Sequence, residues 1–422
     1  MQSNEVVADR AVGIPRYSWY ALGLLTAVYV LNFLDRQIMY ILLVPIQKEM
    51  KFTDLQLAAL GALAFVIFYT LLGIPFGRLA DRVSRKSMIA AGLAIWSLFS
   101  GLTGFANSFW TIFFCRLMVG VGEATLGPAA LSLIGDYFPP RMRATVNSIY
   151  SSAIALGGGL AFFLGGWIGQ TYGWRVAFYT LGFPGLLLAV LVFFLREQPR
   201  TATASAAASS DWADMFRSKP LRLLFAGYAL LGLASNNIGV WVTAFFVRVH
   251  RFDLLTIGTA AGIISLVVGI PAMIFAGVLA DRISRKMRGG RMAFTAVTAV
   301  FCVPLWLALL STNNVAALVA VNVALYALAI LWVGPATADV IDLVRPDLRG
   351  LAIGIFFSAV NIAAYAIGSP LIGRISDALG VATDPGQMRY SLLVCPVACA
   401  LGAVLLWMGS RARKDSAVPL NQ

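Results

Sequence analysis

The chain has 422 residues, of which 59% are hydrophobic and only 12% charged, and its mean hydropathy is +0.82. A soluble domain carries about 25% charged residues, so this chain has too little charge to cover a globular surface, and a soluble fold is excluded. The formal net charge of +13 does not point to nucleic acid, because the basic residues lie in short loops between apolar runs, where positive-inside bias accounts for them.

Taken in chain order, residues 1–16 are polar and lead into the first of twelve apolar runs. The runs are predicted near 17–45, 55–80, 87–106, 109–135, 142–170, 174–195, 220–247, 254–280, 291–311, 314–342, 348–373 and 389–410. Each has the roughly 20 residues that a bilayer core requires. The expected fold class is an all-α membrane protein with twelve transmembrane helices. Span one carries Asn32, Asp35 and Arg36, and span four carries Arg116, Glu123 and Thr125. Span five is crowded with Gly157, Gly158, Gly159, Gly165, Gly166 and Gly169, small residues that let helices approach closely. After span six comes the one long polar stretch, whose core Thr-Ala-Thr-Ala-Ser-Ala-Ala-Ala-Ser-Ser-Asp has linker composition. The Asp211–Phe216 piece beyond it reads as a short amphipathic surface helix. Span seven offers Asn236, Asn237 and Thr243, span ten Asn322 and Tyr326, and span eleven Asn361.

Charge sets the topology. About 23 of the 32 Lys and Arg fall on the side of both termini and the linker, and about seven on the other (Lys48, Lys51, Arg175, Arg248, Arg251, Arg374, Arg389). Both termini are therefore expected in the cytoplasm of a bacterial inner-membrane protein. The cysteines Cys115, Cys302, Cys395 and Cys399 are scattered in apolar segments without ligand spacing, so no metal, disulfide or cofactor is expected.

The strongest sequence signal is a repeat. Gly77-Arg-Leu-Ala-Asp81-Arg82-Val-Ser-Arg85-Lys86 follows span two, and Gly277-Val-Leu-Ala-Asp281-Arg282-Ile-Ser-Arg285-Lys286 follows span eight, identical at eight of ten positions at an offset of 200 residues. Gly127-Pro128-Ala129, Asp136, Pro140 and Arg143 are echoed by Gly334-Pro335-Ala336, Asp342, Pro346 and Arg349. Two pseudo-symmetric six-helix bundles are expected, with residues 1–195 in the first, 196–219 as a cytoplasmic linker and 220–422 in the second. In these loops Gly77, Asp81, Arg82, Gly277, Asp281 and Arg282 are expected to form a cytoplasmic gate, carboxylates capping helix ends and basic residues pairing across the seam. Arg85 and Arg285 are grouped with that gate, and with Lys86 and Lys286 are expected to anchor the loops at the membrane surface.

These loops resemble the signature loop of the major facilitator superfamily, with the resemblance covering both halves. Asn32-Phe-Leu-Asp35-Arg36-Gln-Ile, the Gly77–Lys86 loop and Arg116-Leu-Met-Val-Gly-Val-Gly-Glu123-Ala are similar to the spinster-like, sphingolipid transporter branch. That resemblance implies a transporter of lysophospholipids or phosphorylated sphingoid bases, with Asp35 and Glu123 in proton coupling. The Gly-Pro element that the family's antiporters carry in span five is missing here.

The residues themselves lead to a similar chemistry. An ionised side chain at mid-membrane costs at least ~2.5–3.5 kcal/mol, and four charges are read well inside spans: Asp35, Arg36, Arg116 and Glu123. Arg116, Gly120 and Glu123 share a helix face, but the two charged ends lie about 10.5 Å apart along the axis, so each is expected to find its partner on span one. A packing salt bridge and a proton-loading site both suit this set. Arg36 and Arg116 match a phosphate or carboxylate head, and Asn32, Thr125, Asn236, Asn237, Thr243, Asn322, Tyr326 and Asn361 are the polar candidates for the cavity wall. The function expected is proton-coupled transport of a lysophospholipid or similar anionic-headed lipid by alternating access. The second possibility is a carrier of a small organic anion or drug. Partners are the amphiphilic substrate, protons and the bilayer, with a monomer expected. The lone His250 in a loop argues against a membrane-embedded enzyme, and the repeated loops suit rocking halves better than a channel.

Overall fold

The structure, a computed structural model, describes residues 14–80, 82–139, 142–197, 217–272, 275, 276, 279, 282, 290–345 and 348–416. Every regular element among them is helical. In chain order the crossings are α1 (Arg16–Met50), α2 (Asp54–Ala58, Ala59–Leu63 and Ala64–Ala80), α3 (Arg85–Thr103) and α4 in two pieces, α4a (Phe109–Glu123) and α4b (Leu126–Tyr137). Then follow α5 (Arg143–Thr171), α6 (Trp174–Gly182 and Pro184–Phe193), α7 (Lys219–Arg248), α8 (Leu254–Ala272) and α9 (Gly290–Ser311). The last three are α10a (Val315–Ala329) with α10b (Val333–Leu343), α11 (Arg349–Asn361, Ile362–Gly368 and Ser369–Ala378) and α12 (Met388–Ser391 and Val394–Ser416). Among the described residues eleven helices are long and apolar enough to cross a membrane. The twelfth crossing is α4, whose pieces of 15 and 12 residues fall short singly.

The break in α4 has a local cause. Thr125 turns its hydroxyl onto the Gly122 carbonyl at 2.8 Å, a side-chain bond that competes with the helical ladder. Pro128, which has no N–H to continue that ladder, follows in the first turn of α4b. The second bundle repeats the device, with α10 broken at residues 330–332 ahead of Gly334-Pro335. A further repeat lies at the end of the molecule opposite the termini, here called the far end. Lys51 and Arg251, 200 residues apart, both hold a left-handed φ of 57°. Each is followed by phenylalanine and then by the cap of the next helix: Thr53 accepts from the Gln56 amide, and Asp253 from the Thr256 amide.

Helices α1–α6 and α7–α12 form two six-helix bundles. The glycines of α5 serve two seams: Gly157, Gly165 and Gly169 face α1, while Gly159 and Gly166 face α8. A Cβ at Gly166 would lie 2.5 Å from the Leu254 carbonyl oxygen, and one at Gly258 2.3 Å from that of Phe162, so the α5–α8 contact requires bare backbone on both helices.

At the far end the bundles are clamped. The Asp377 carboxylate on α11 accepts from the backbone amides of Asp54 (2.7 Å) and Leu55 (2.9 Å), capping α2. The equivalent residue on α5, Gln170, caps α8 through the Leu254 amide at 2.8 Å. Asp54, only 2% exposed, accepts from Gln47 (2.8 Å), Arg248 (2.8 Å) and the Ser376 hydroxyl.

The other end corrects one expectation. Arg85 does not anchor the loop at a membrane surface: it is 3% exposed and pairs with Glu197 (2.9 Å) and Asp136 (2.6 Å), with a bond to the Ser132 hydroxyl. The pairing ties α3, the end of α4b and the segment after α6 together inside the first bundle. Burial pushes the Glu197 carboxyl up, but the Ser84 hydroxyl and Arg85 hold it below the usual range. Residues 196–197, taken from sequence as the start of the linker, thus pack with the first bundle, where the Arg196 amide also donates to Tyr17 at 2.6 Å. Asp81, Gly277, Asp281, Arg285 and the Asp211–Phe216 piece lie outside the described residues; Arg82 and Arg282 are exposed and Gly77 is half-buried.

Candidate functional site

Residues 35 and 36 are adjacent on α1, so their side chains leave the helix in different directions. Both directions lead to partners. Arg36 reaches α4a and pairs with Glu123, Nη2 to Oε2 at 2.7 Å and Nε to the same oxygen at 3.2 Å. Asp35 turns to α3, accepting from the Ser100 hydroxyl at 2.7 Å, while its backbone carbonyl accepts from Arg116 Nη1 at 3.1 Å. Asp35, Arg116 and Glu123 are at most 1% exposed, whereas the Arg36 side chain keeps 16%. Among the described residues no salt bridge joins Arg116 to Glu123, and each finds its partner on α1.

Several polar atoms in this cluster have no hydrogen-bond partner among the described residues: Asp35 Oδ2, Glu123 Oε1, and Arg116 Nε and Nη2. Buried groups in this state are uncommon in a purely structural network. Arg36 also lies within 5.0 Å of three ring centroids, those of Phe33, Phe65 (4.4 Å) and Tyr69 (4.9 Å). Such cation–π contact favours a guanidinium in this place over an ammonium. Beyond it Tyr29 stacks on Tyr150, with centroids 4.4 Å apart and planes 5° from parallel.

The other polar candidates divide into two groups. Asn32 is buried beside Glu123, and Asn236 is half-buried with Oδ1 accepting from Tyr365 at 2.9 Å. Asn322, Tyr326 and Asn361 are half-buried, and Tyr326 rests against α8 at Gly269. Thr125, Thr243 and Asn237 are instead bound to helix carbonyls: Thr125 to Gly122, Thr243 to Gly239 (3.1 Å), and Asn237 to Leu233 (2.8 Å) and Ala364 (3.2 Å). The two threonine bonds lie within a single crossing, and only Asn237 joins two helices, α7 and α11.

Sequence reading missed three features. The first is the aromatic wall, because phenylalanine and tyrosine in an apolar run carry no positional signal. The second is Asp54, whose place as the first residue of a helix reads as a cap. The third is Asp339, fully buried in α10b and accepting from Tyr228 at 3.0 Å, so buried charge is not confined to the first bundle. His250, read as a loop residue, is half-buried among Phe245, Phe246 and Phe252. Burial, and then the charge of Arg389, hold its imidazole below the ordinary value.

Residues 25–363 match the family model of the Major Facilitator Superfamily. The chain is 27% identical to an MFS-type efflux pump of Mycolicibacterium smegmatis over 95% of both chains. It is 26% identical to the sphingosine-1-phosphate transporter SPNS2 of Xenopus tropicalis, over 96% of this chain and 84% of that protein. A crystal structure of a bacterial homologue of the human lysosomal transporter spinster, inward-facing and occupied, superposes with a TM-score of 0.85 over 96% of this chain and 100% of that one, at 23% identity. The chain therefore belongs to the Major Facilitator Superfamily, a family of membrane transporters and not of enzymes.

Proposed function

We propose that this transporter moves a lysophospholipid, or a similar lipid with an anionic head, by proton-coupled alternating access, with both termini in the cytoplasm of a bacterial inner membrane. The observation that carries the reading is Arg36: half-buried, backed by three aromatic rings, and held by a single oxygen of a carboxylate whose other oxygen has no hydrogen-bond partner among the described residues. Protonation at the free oxygen of Glu123 weakens that pair and frees the guanidinium for a phosphate or carboxylate head. Deprotonation restores the pair and expels the head. Asp35 is the second proton site, at its own free oxygen, and Arg116 fixes its backbone. The apolar and aromatic surroundings suit an acyl chain, with Asn32, Asn236, Asn322, Tyr326 and Asn361 as polar contacts. The similarity to spinster homologues supports this substrate class.

With this topology the far-end clamp is the outer seam, and its closure corresponds to an inward-facing state. Residues 1–195 and 220–422 move as two bodies, with Glu197 holding the start of the linker to the first. Asp81, Arg82, Asp281 and Arg282 form the inner gate that closes when the clamp opens. The similarity to an efflux pump favours a second reading, a proton-coupled carrier of a small organic anion or drug.

Purified protein in liposomes, given a lysophospholipid or a soluble organic acid under an imposed pH gradient, separates the two. Lysophospholipid accumulation that collapses with the gradient is expected, and Glu123→Gln is expected to lower it about a hundredfold. Accumulation of neither compound overturns both readings, and unchanged pH dependence in Glu123→Gln removes the coupling role.

A further inference from the structure

Tyr365 sits where the two bundles meet. It lies in the π-helical segment Ile362–Gly368 of α11, a distortion that occurs often at functional positions. Its ring packs against two hydrophobic clusters, one lying wholly in the first bundle and the other running through both. Its hydroxyl donates to Asn236 Oδ1 of α7 at 2.9 Å, which leaves the phenol oxygen able to accept. Its ionisable neighbours on α1 of the other bundle are Tyr40, within hydrogen-bond reach, and Arg36, which acts on it through charge. Arg36 in turn carries Glu123 of α4a and Tyr69 of α2.

The residue exists in one copy. Gly166 matches Gly373 and Gln170 matches Asp377 in the α5 and α11 contacts at the far end, an offset of 207. The same offset places Gly158 opposite Tyr365. Duplication of the scaffold therefore does not explain a tyrosine here.

We propose that Tyr365 is the positioning residue that transmits the state of the Arg36–Glu123 pair to the second bundle, an inference that rests on proton coupling at Glu123. While Glu123 is ionised, Arg36 is held toward α4a. When Glu123 takes a proton, the guanidinium turns to the phenol oxygen of Tyr365, which is already tied to Asn236. The bond thus made crosses the seam, and the relative stability of the two arrangements of the bundles changes with the protonation of a residue in only one of them.

Hydrogen exchange at the far-end clamp reads this without any substrate. Amides at 54–57 and 254–257 are followed in the full-length protein in nanodiscs, corrected for intrinsic exchange. Protection in the wild type is expected to change about tenfold or more between about pH 5.5 and 8.5, and in Tyr365→Phe about twofold or less, with melting temperatures alike. Glu123→Gln is expected to lie flat across the same range. A Tyr365→Phe protein that follows the wild type overturns the proposal, as does a wild type without pH dependence. Tyr365→Leu, which likewise lacks the phenol oxygen, is expected to respond no more than Tyr365→Phe. Failure of lysophospholipid transport with the pH response intact rejects the substrate reading and leaves the coupling role standing.

Discussion

The two bundles share a scaffold and differ in chemistry. At offsets of 200 and 206 residues, Asp35, Arg36, Ser100, Arg116 and Glu123 of the first correspond to Ser235, Asn236, Val300, Asn322 and Ala329 of the second. The breaks in α4 and α10, the left-handed residues after α1 and α7, and the caps on α2 and α8 recur in both. Among the described residues only the first bundle keeps a charged cluster at mid-depth. The second has neutral amides there and its own buried carboxylate, Asp339, in α10b. Backbone geometry is thus retained where both copies must pack alike. Ionisable groups are costly in hydrocarbon, and packing does not require them in both copies.

The comparison is tested most strongly by removing corresponding residues. Arg116→Ala leaves Asp35 and Glu123 with less compensating charge and is expected to cost about 3 kcal/mol in unfolding. Asn322→Ala is expected to cost about 1 kcal/mol or less. Equal losses in denaturation of the purified proteins remove the claim that the charge cluster belongs to one bundle.

A smaller difference is expected at the far end. Arg248 pairs with Asp54 across the seam, whereas the counterpart of Asp54 is the apolar Leu254, which gives Lys48 nothing to pair with. Arg248→Gln is expected to raise clamp exchange about tenfold, with Lys48→Gln unchanged. Similar exchange in the two variants contradicts a one-sided lock.

The smallest effect concerns Glu197. Its carboxyl is held below the usual range in the folded protein, so the stability it supplies is complete above the unfolded value of about 4.3 and is lost as pH falls through the lower folded value. Thermal melting of Glu197→Gln is expected to fall less steeply than that of the wild type as pH drops below about 4. Parallel curves place the acid sensitivity elsewhere.

Helix positions were legible because an apolar run of bilayer length has few other uses. The expected 142–170 and 291–311 lie within one residue of Arg143–Thr171 and Gly290–Ser311. The first span runs on to Met50, five residues past its expected end, because Lys48 and Glu49 lower hydropathy without ending the helix. The charged residues of the site were legible for the same energetic reason. Their pairing was not: the spacing on α4a excluded a contact between Arg116 and Glu123, but whether Arg36 or Asp35 met the carboxylate depended on how α1 is rotated against α3 and α4a.

The sequence by itself therefore determined the crossings, their duplication and the few residues that cannot face lipid, since each follows from the cost of polarity in hydrocarbon. Tertiary structure alone decided what faces what. It turned Arg85 from a surface anchor into a buried clasp, made Asp54 the hub of the far-end clamp, and brought Tyr365 against the first bundle. Contacts across 112, 194 and 129 residues of chain depend on the packing of whole helices, which no local pattern encodes.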